Sequence, residues 1–303
     1  MSAPEPLAAV VPLPPRRSAA LALAVALRPR QWTKNLLLFA GILFAAKIGD
    51  AGRWFEASAA FVLYCAASSA AYLGNDLRDA PADRLHPVKR RRPLARREVS
   101  PRLAVAAAGL LLLLAFALAA ALGWIAAGFL ALFLVLQGAY TLGLKHVVLI
   151  DVMAISGLFV IRAAAGADAV EVRISPWLLL CTALLALFLA LGKRRSELVL
   201  VGAELTPGRP VLEGYSLALV DQLVAVVAAA TVLAYSIYTL TAHETQALAL
   251  TIPFVLFGVF RYLLLLHRAG KGEEPENVLV SDVPILAAVA LWATACAVIL
   301  LWS

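Results

Sequence analysis

Residues 72–93 read Tyr72-Leu-Gly-Asn75-Asp76-Leu-Arg-Asp79-Ala-Pro81-Ala-Asp83-Arg-Leu-His86-Pro-Val-Lys89-Arg90-Arg91-Arg92-Pro93, a dense ionic stretch set between two apolar runs. The runs, near 55–75 and 103–122, each supply the roughly 20 apolar residues that a bilayer crossing needs. Extending the scan gives nine candidate spans, near 35–49, 55–75, 103–122, 124–144, 147–165, 177–192, 217–239, 247–266 and 283–302. The fold expected is all-α, a polytopic membrane protein of about nine transmembrane helices. The first and fifth spans are short, so eight also fits.

Composition agrees. Of 303 residues, 63% are hydrophobic and only 15% charged, and mean hydropathy is +0.89. A soluble domain carries about 25% charge, so this chain is too apolar for water. Its net charge of +7 does not call for nucleic acid. With the N-terminus in the cytoplasm, 21 of the 26 Lys and Arg fall on inner segments and four on or near the outer side. Topology and anionic headgroups explain that excess. The expected location is the cell (inner) membrane, with the ionic stretch facing the cytoplasm. Cys65, Cys181 and Cys296 lie in apolar runs without CxxC spacing, which suits packing rather than metal or disulfide chemistry.

Two units are expected along the chain. Residues 1–17, rich in Pro and Ala, read as a disordered tail. Residues 18–303 read as a single transmembrane catalytic domain, entered through an interfacial helix over 18–30 with Trp32 at the headgroups.

Within 72–93, Asn75, Asp79 and Asp83 are spaced i, i+4, i+8, with Asp76 three before Asp79 and seven before Asp83. On a helix Asn75, Asp79 and Asp83 fall on one face. Pro81 argues for a break, in which case Asp83 approaches from a loop. Either way three carboxylates and an amide are expected to converge. Side by side they repel unless a cation lies between them, and hard oxygen ligands select Mg²⁺, whose shell substrate phosphates usually complete. Lys89, Arg90 and Arg92 supply fixed positive charge for further phosphate oxygens. His86 is a candidate phosphate ligand.

Further groups stand elsewhere. Arg30 and Lys34 precede the first span; Tyr140 and Lys145 flank the end of the fourth. Lys193, Arg194 and Glu197 follow the sixth, where Lys193 and Glu197 also suit a simple helix-end pair. Arg162 lies in the apolar stretch 151–166. Arginine there is costly, so it reads either as facing a polar cavity or as snorkelling from the span's outer end.

The pattern Asn75-Asp76-x-x-Asp79-x-x-x-Asp83 at the end of a second span resembles the UbiA prenyltransferase superfamily. Further stretches narrow the resemblance: Arg28-Pro-Arg-Gln-Trp-Thr-Lys-Asn35, His86-Pro-x-Lys-Arg-x-Arg-Pro93, Ile161-Arg-Ala-x-Ala-Gly166 and Gly192-Lys-Arg-x-x-Glu197. With Tyr140 through Lys145-His146, they are similar to the decaprenyl-phosphate phosphoribosyltransferase branch.

That resemblance implies a Mg²⁺-dependent enzyme that transfers 5-phosphoribosyl from phosphoribosyl diphosphate to a polyprenyl (decaprenyl) phosphate, toward the arabinan precursor of cell walls. It makes Asn75, Asp76, Asp79 and Asp83 the metal and catalytic residues. Lys89, Arg90, Arg92 and His86 then grip the donor, and Arg30, Lys34, Tyr140, Lys145 and Arg162 are candidates for the lipid phosphate. One departure matters: where aromatic prenyltransferases of the superfamily carry a second Asp-rich motif, this chain has Lys193-Arg194-x-x-Glu197. More phosphate to neutralise suits bases there. The alternative is a polyprenyl diphosphate prenyltransferase acting on an aromatic or glycerophosphate acceptor. Homo-oligomerisation is left open.

Overall fold

The computed structural model of the chain describes residues 15–44, 49–85, 89–202, 210–241, 246–268 and 281–302. Ten α-helices follow in order: α1 (Ala19–Ala26), α2 (Ala40–Phe44), α3 (Ala51–Leu85), α4 (Pro101–Leu122), α5 (Trp124–Leu142), α6 (Ile150–Ala169), α7 (Pro176–Gly202), α8 (Leu217–Thr241), α9 (Ile252–Arg268) and α10 (Val283–Trp302). Short 3₁₀ segments join several of them, and no strand occurs among the described residues.

Eight helices, α3 to α10, are long and apolar enough to cross a membrane, α9 counted with the 3₁₀ turn before it. The expected first span at 35–49 differs. The chain there forms a 3₁₀ helix over Pro29–Phe39, continued by the five-residue α2. Runs of 3₁₀ this long are uncommon, and contact with α6 explains this one. A Cβ on Gly166 would stand 2.4 Å from the Leu38 carbonyl oxygen, and one on Gly41 3.1 Å from the Ala167 Cα. The segment lies backbone to backbone on α6, and only glycine permits that approach.

The entry helix also ends early. Expected to reach residue 30, α1 stops at Ala26, because Pro29 disfavours helix at the residue before it. Arg28 takes a left-handed φ of 55° instead. Ala22 and Ala26 of α1 are buried with Leu73, Leu94, Val99 and Ala104, so the entry helix is docked on α3 and the loop before α4.

Burial ranks the spans. In their most apolar stretches α3 and α6 are 61% and 67% buried, whereas α4 and α5 are only 17% buried and face lipid. The central pair shares a core with α5, made of Leu63, Tyr64, Phe133, Leu158 and Ile161. A second core of Phe188, Leu191, Val220, Val224, Val259 and Tyr262 binds α7, α8 and α9. Gly123 alone separates α4 from α5; its φ of 121° is one that L side chains rarely adopt.

Candidate active site

Helix α3 runs unbroken through Pro81 to Leu85, so Asp83 arrives on the helix and not from a loop. Pro81 is exposed and forgoes the bond to the Leu77 carbonyl, yet the helix continues four residues beyond it. At about 100° per residue, Asp76 and Asp83 point within roughly 20° of each other, and Asp79 about 60° to the side of Asp76. Burial follows that geometry: Asp76 and Asp83 are 2% and 4% exposed, while Asn75 and Asp79 are half-buried.

Two arginines meet the buried pair. Arg92 Nη1 lies 3.2 Å from Asp76 Oδ1 and 2.8 Å from Asp83 Oδ2, bridging them. Arg28 Nη2 donates to Asp76 Oδ1 at 2.6 Å, and its guanidinium sits 4.9 Å over the Tyr72 ring. Trp32 Nε1 donates to Ser69 Oγ, which in turn donates to the Leu27 carbonyl, pinning this arm to α3.

The expected convergence of three acids is therefore not what the helix delivers. Among the described residues no group of three or more His, Cys, Asp or Glu side chains is placed to hold a metal ion. What α3 presents is half of such a site. Two buried carboxylates already share one cation, with the oxygens of Asn75 and Asp79 beside them on the same helix end. This oxygen-only donor set fits Mg²⁺, provided that Arg92 yields its place and substrate oxygens complete the shell.

The other expected residues divide into several surroundings. Lys89 and Arg90 are half-buried in a 3₁₀ turn that carries the chain to Arg92. His86 lies outside the described residues. Arg30 is exposed and Lys34 half-buried on the 3₁₀ segment that bears Arg28. Tyr140 and Lys145 are half-buried where α5 passes into the turn before α6.

Arg162 is 4% exposed and enclosed by neutral partners. It donates to Asn35 Oδ1 at 2.8 Å, to the Leu158 carbonyl at 3.0 Å and toward Ser68 Oγ at 3.5 Å. Phe133 and Phe159 flank its guanidinium. This is an interior polar cluster, not a snorkelling chain. It ties the 3₁₀ segment to α3 and α6.

Arg194 is 1% exposed. It pairs with Glu197 and donates from Nε to Asp151 Oδ2 at 2.6 Å. The Tyr215 hydroxyl donates to Asp151 Oδ1 at 2.6 Å and accepts from the Leu149 N–H. Burial pushes the Tyr215 hydroxyl up to about 12, so it stays a donor at working pH. Glu197 pairs with Arg194, and Lys193 is half-buried one residue before it. Sequence reasoning missed Tyr215, and it grouped Arg28 with Arg30, Lys34 and Asn35 near the first span without pairing it to the acids. Tyr215 stands 64 residues from its partner, with no signal in the sequence. For Arg28, the adjoining Pro29 and the Asp-rich end of α3 were the available clue.

Comparison with known proteins adds an independent finding. The model of the UbiA prenyltransferase family matches residues 35–276. A protein of Mycolicibacterium smegmatis called decaprenyl-phosphate phosphoribosyltransferase is 35% identical over 287 residues, covering 88% of this chain and 89% of the relative. One of the same name from Mycobacterium tuberculosis is 36% identical over 264 residues, covering 85% of this chain and 87% of the relative. Among solved structures, a UbiA homolog from Archaeoglobus fulgidus bound to GPP and Mg²⁺ superposes with a TM-score of 0.70. It is 19% identical and covers 94% of this chain and all of that one.

Proposed function

The chain belongs to the UbiA prenyltransferase family and is a multi-pass membrane transferase, and from that premise we propose that it moves a 5-phosphoribosyl group from phosphoribosyl diphosphate to a polyprenyl phosphate such as decaprenyl phosphate. The names of its relatives support the donor and acceptor. The observation that carries the site assignment is the buried Asp76–Arg92–Asp83 bridge with Arg28 alongside. Acids and bases interleaved at one helix end suit a metal-bound diphosphate, which needs oxygen ligands on its cation and fixed cations on its remaining oxygens.

In the reaction proposed, the C1–oxygen bond to diphosphate breaks as an oxygen of the lipid phosphate bonds to C1, with inversion. The nucleophile is already anionic, so no protein base takes a proton. Asp76 and Asp83, with Asn75 and Asp79, would hold Mg²⁺, which when bound neutralises charge growing on the leaving diphosphate. Arg28, Arg92, Lys89 and Arg90 would hold phosphate oxygens of the donor, and Arg30, Lys34, Tyr140, Lys145 and Lys193 are assigned to the remaining phosphates. Catalysis is then orientation and charge neutralisation.

We further assign residues 18–303 to one catalytic domain with 1–17 as its tail, and place the basic end of the bundle on the cytoplasmic side of the inner membrane. Purified protein given radiolabelled phosphoribosyl diphosphate and decaprenyl phosphate should form a lipid-soluble labelled product when Mg²⁺ is present. Transfer instead from a labelled prenyl diphosphate to an aromatic acceptor would replace this reading with that of a prenyltransferase proper.

A further inference from the structure

Arg92 and a divalent ion compete for one place. Its Nη1 stands between Asp76 Oδ1 and Asp83 Oδ2 at 3.2 and 2.8 Å. A Mg²⁺ bound by both carboxylates needs oxygens at about 2.1 Å from that same point. The two cannot share it.

Charge sets the terms of the exchange. Asp76 and Asp83 are balanced by Arg28 and Arg92, so the set is neutral as it stands. A lone divalent cation would have to displace a guanidinium from nearly buried carboxylates and leave that guanidinium without its anions, which costs free energy. A metal arriving with a diphosphate offers Arg92 phosphate oxygens in return, ligands that a guanidinium binds in bidentate fashion.

The structure also indicates which arginine moves. Both arginines have bonded backbone N–H groups, but the Arg28 guanidinium also lies on the Tyr72 ring and its φ is left-handed. The acids stand on a continuous helix and cannot swing away. Arg92 sits in a bend after the Lys89–Arg91 turn, its side chain 29% exposed. Arg28 is equally exposed, at 30%; what sets Arg92 apart is that its guanidinium stands between both acids, while that of Arg28 bonds Asp76 and lies on Tyr72.

We infer that Arg92 is a counter-ion gate: it fills the place between Asp76 and Asp83 until a diphosphate draws its guanidinium away, so that a divalent cation is admitted together with the diphosphate and poorly without it. This rests on the metal-diphosphate reading above and adds to it an order of assembly. Free metal does not load the resting enzyme, and metal and diphosphate strengthen each other's binding by the same factor.

The test is equilibrium dialysis of radioactive Mn²⁺ against the full-length protein in nanodiscs, at fixed free Mn²⁺, with and without inorganic diphosphate. Wild-type protein should bind Mn²⁺ about tenfold or more tightly when diphosphate is present. Arg92→Gln should bind Mn²⁺ alone about tenfold more tightly than wild type does and lose most of the diphosphate dependence. Adding Asp83→Asn to that variant should return bound Mn²⁺ to background. Arg92→Gln binding the metal alone no better than wild type overturns the gate, as does equal wild-type affinity in both conditions. Wild-type protein that binds no Mn²⁺ even with diphosphate overturns the metal-diphosphate reading as well. The wild-type comparison decides the matter even where Arg92→Gln fails to fold.

Discussion

A charge buried against one partner is only as secure as that partner. Arg194 and Asp151 are 1% and 0% exposed in their side chains and face each other at 2.6 Å. Removing Arg194 leaves the Asp151 charge buried with the Tyr215 hydroxyl but without its cation, a loss of about 3–5 kcal/mol. Arg194→Ala should therefore lower the melting temperature sharply, as read by thermal loss of the monodisperse chromatographic peak. Tyr215→Phe removes one hydrogen bond to a charged group and should cost about 1.5–3 kcal/mol or less. Equal stability of Arg194→Ala and wild type would mean that the network does not hold this end of the bundle. Arg162 poses the opposite case, a guanidinium satisfied by an amide, a carbonyl, a hydroxyl and two rings. Sequence alone marked it as unusual, because an arginine in an apolar stretch is conspicuous. Its partners were not legible: Asn35 and Ser68 lie 127 and 94 residues away, and nothing in their spacing to Arg162 announces contact.

Elements place these side chains, and glycines set how closely the elements approach. The 3₁₀ segment carrying Arg30, Lys34 and Asn35 lies on α6 only because position 166 has no Cβ, since one there would meet the Leu38 carbonyl oxygen at 2.4 Å. That atom is backbone and cannot rotate away. Gly166→Ala should push the segment off α6, lower thermal stability and cut turnover together, measurable on the same purified sample. Gly74→Ala, where nothing lies within 4 Å of the added carbon, is the control for stability. Spans two to nine of the sequence reading correspond to long helices, because roughly 20 apolar residues leave a chain in lipid little choice but helix. The first span was misjudged for a local reason. Hydropathy reports that 35–49 is apolar but not that its backbone packs on a glycine of another helix, and that contact replaces a long α-helix by a 3₁₀ turn. Pro81 misled in the other direction: proline disfavours the helix interior, yet α3 runs four residues past it.

For the whole molecule, the governing feature is polarity of charge. Asp76, Asp83, Arg28, Arg92, Arg194 and Asp151 all gather toward the end of the bundle where the basic residues cluster, the end that the proposed orientation, drawn from positive-inside bias, has in the cytoplasm. Arg91 is exposed in the turn beside the site. An Arg91→Cys variant should resist a membrane-impermeant thiol reagent in intact cells and react in inverted vesicles. Cys65 and Cys296 are buried, so a variant in which Cys181 is replaced gives the background. Labelling in intact cells would reverse the orientation. The acid-base stretch was legible in sequence because its residues are contiguous, but the face expected from spacing was Asn75, Asp79 and Asp83, whereas the buried pair is Asp76 and Asp83. Its arginine bridge was not legible, since a loop arginine gives no sign of where its side chain will turn.

The most direct test of the proposed chemistry is phosphoribosyl transfer by Asp83→Asn, an isosteric change that removes one carboxylate charge from the bridge. The expected result is a loss of at least about 100-fold in Mg²⁺-dependent formation of labelled polyprenyl-phosphoribose, the scale of a lost transition-state charge contact, with the protein still monodisperse in detergent. Turnover equal to wild type in that variant would contradict it.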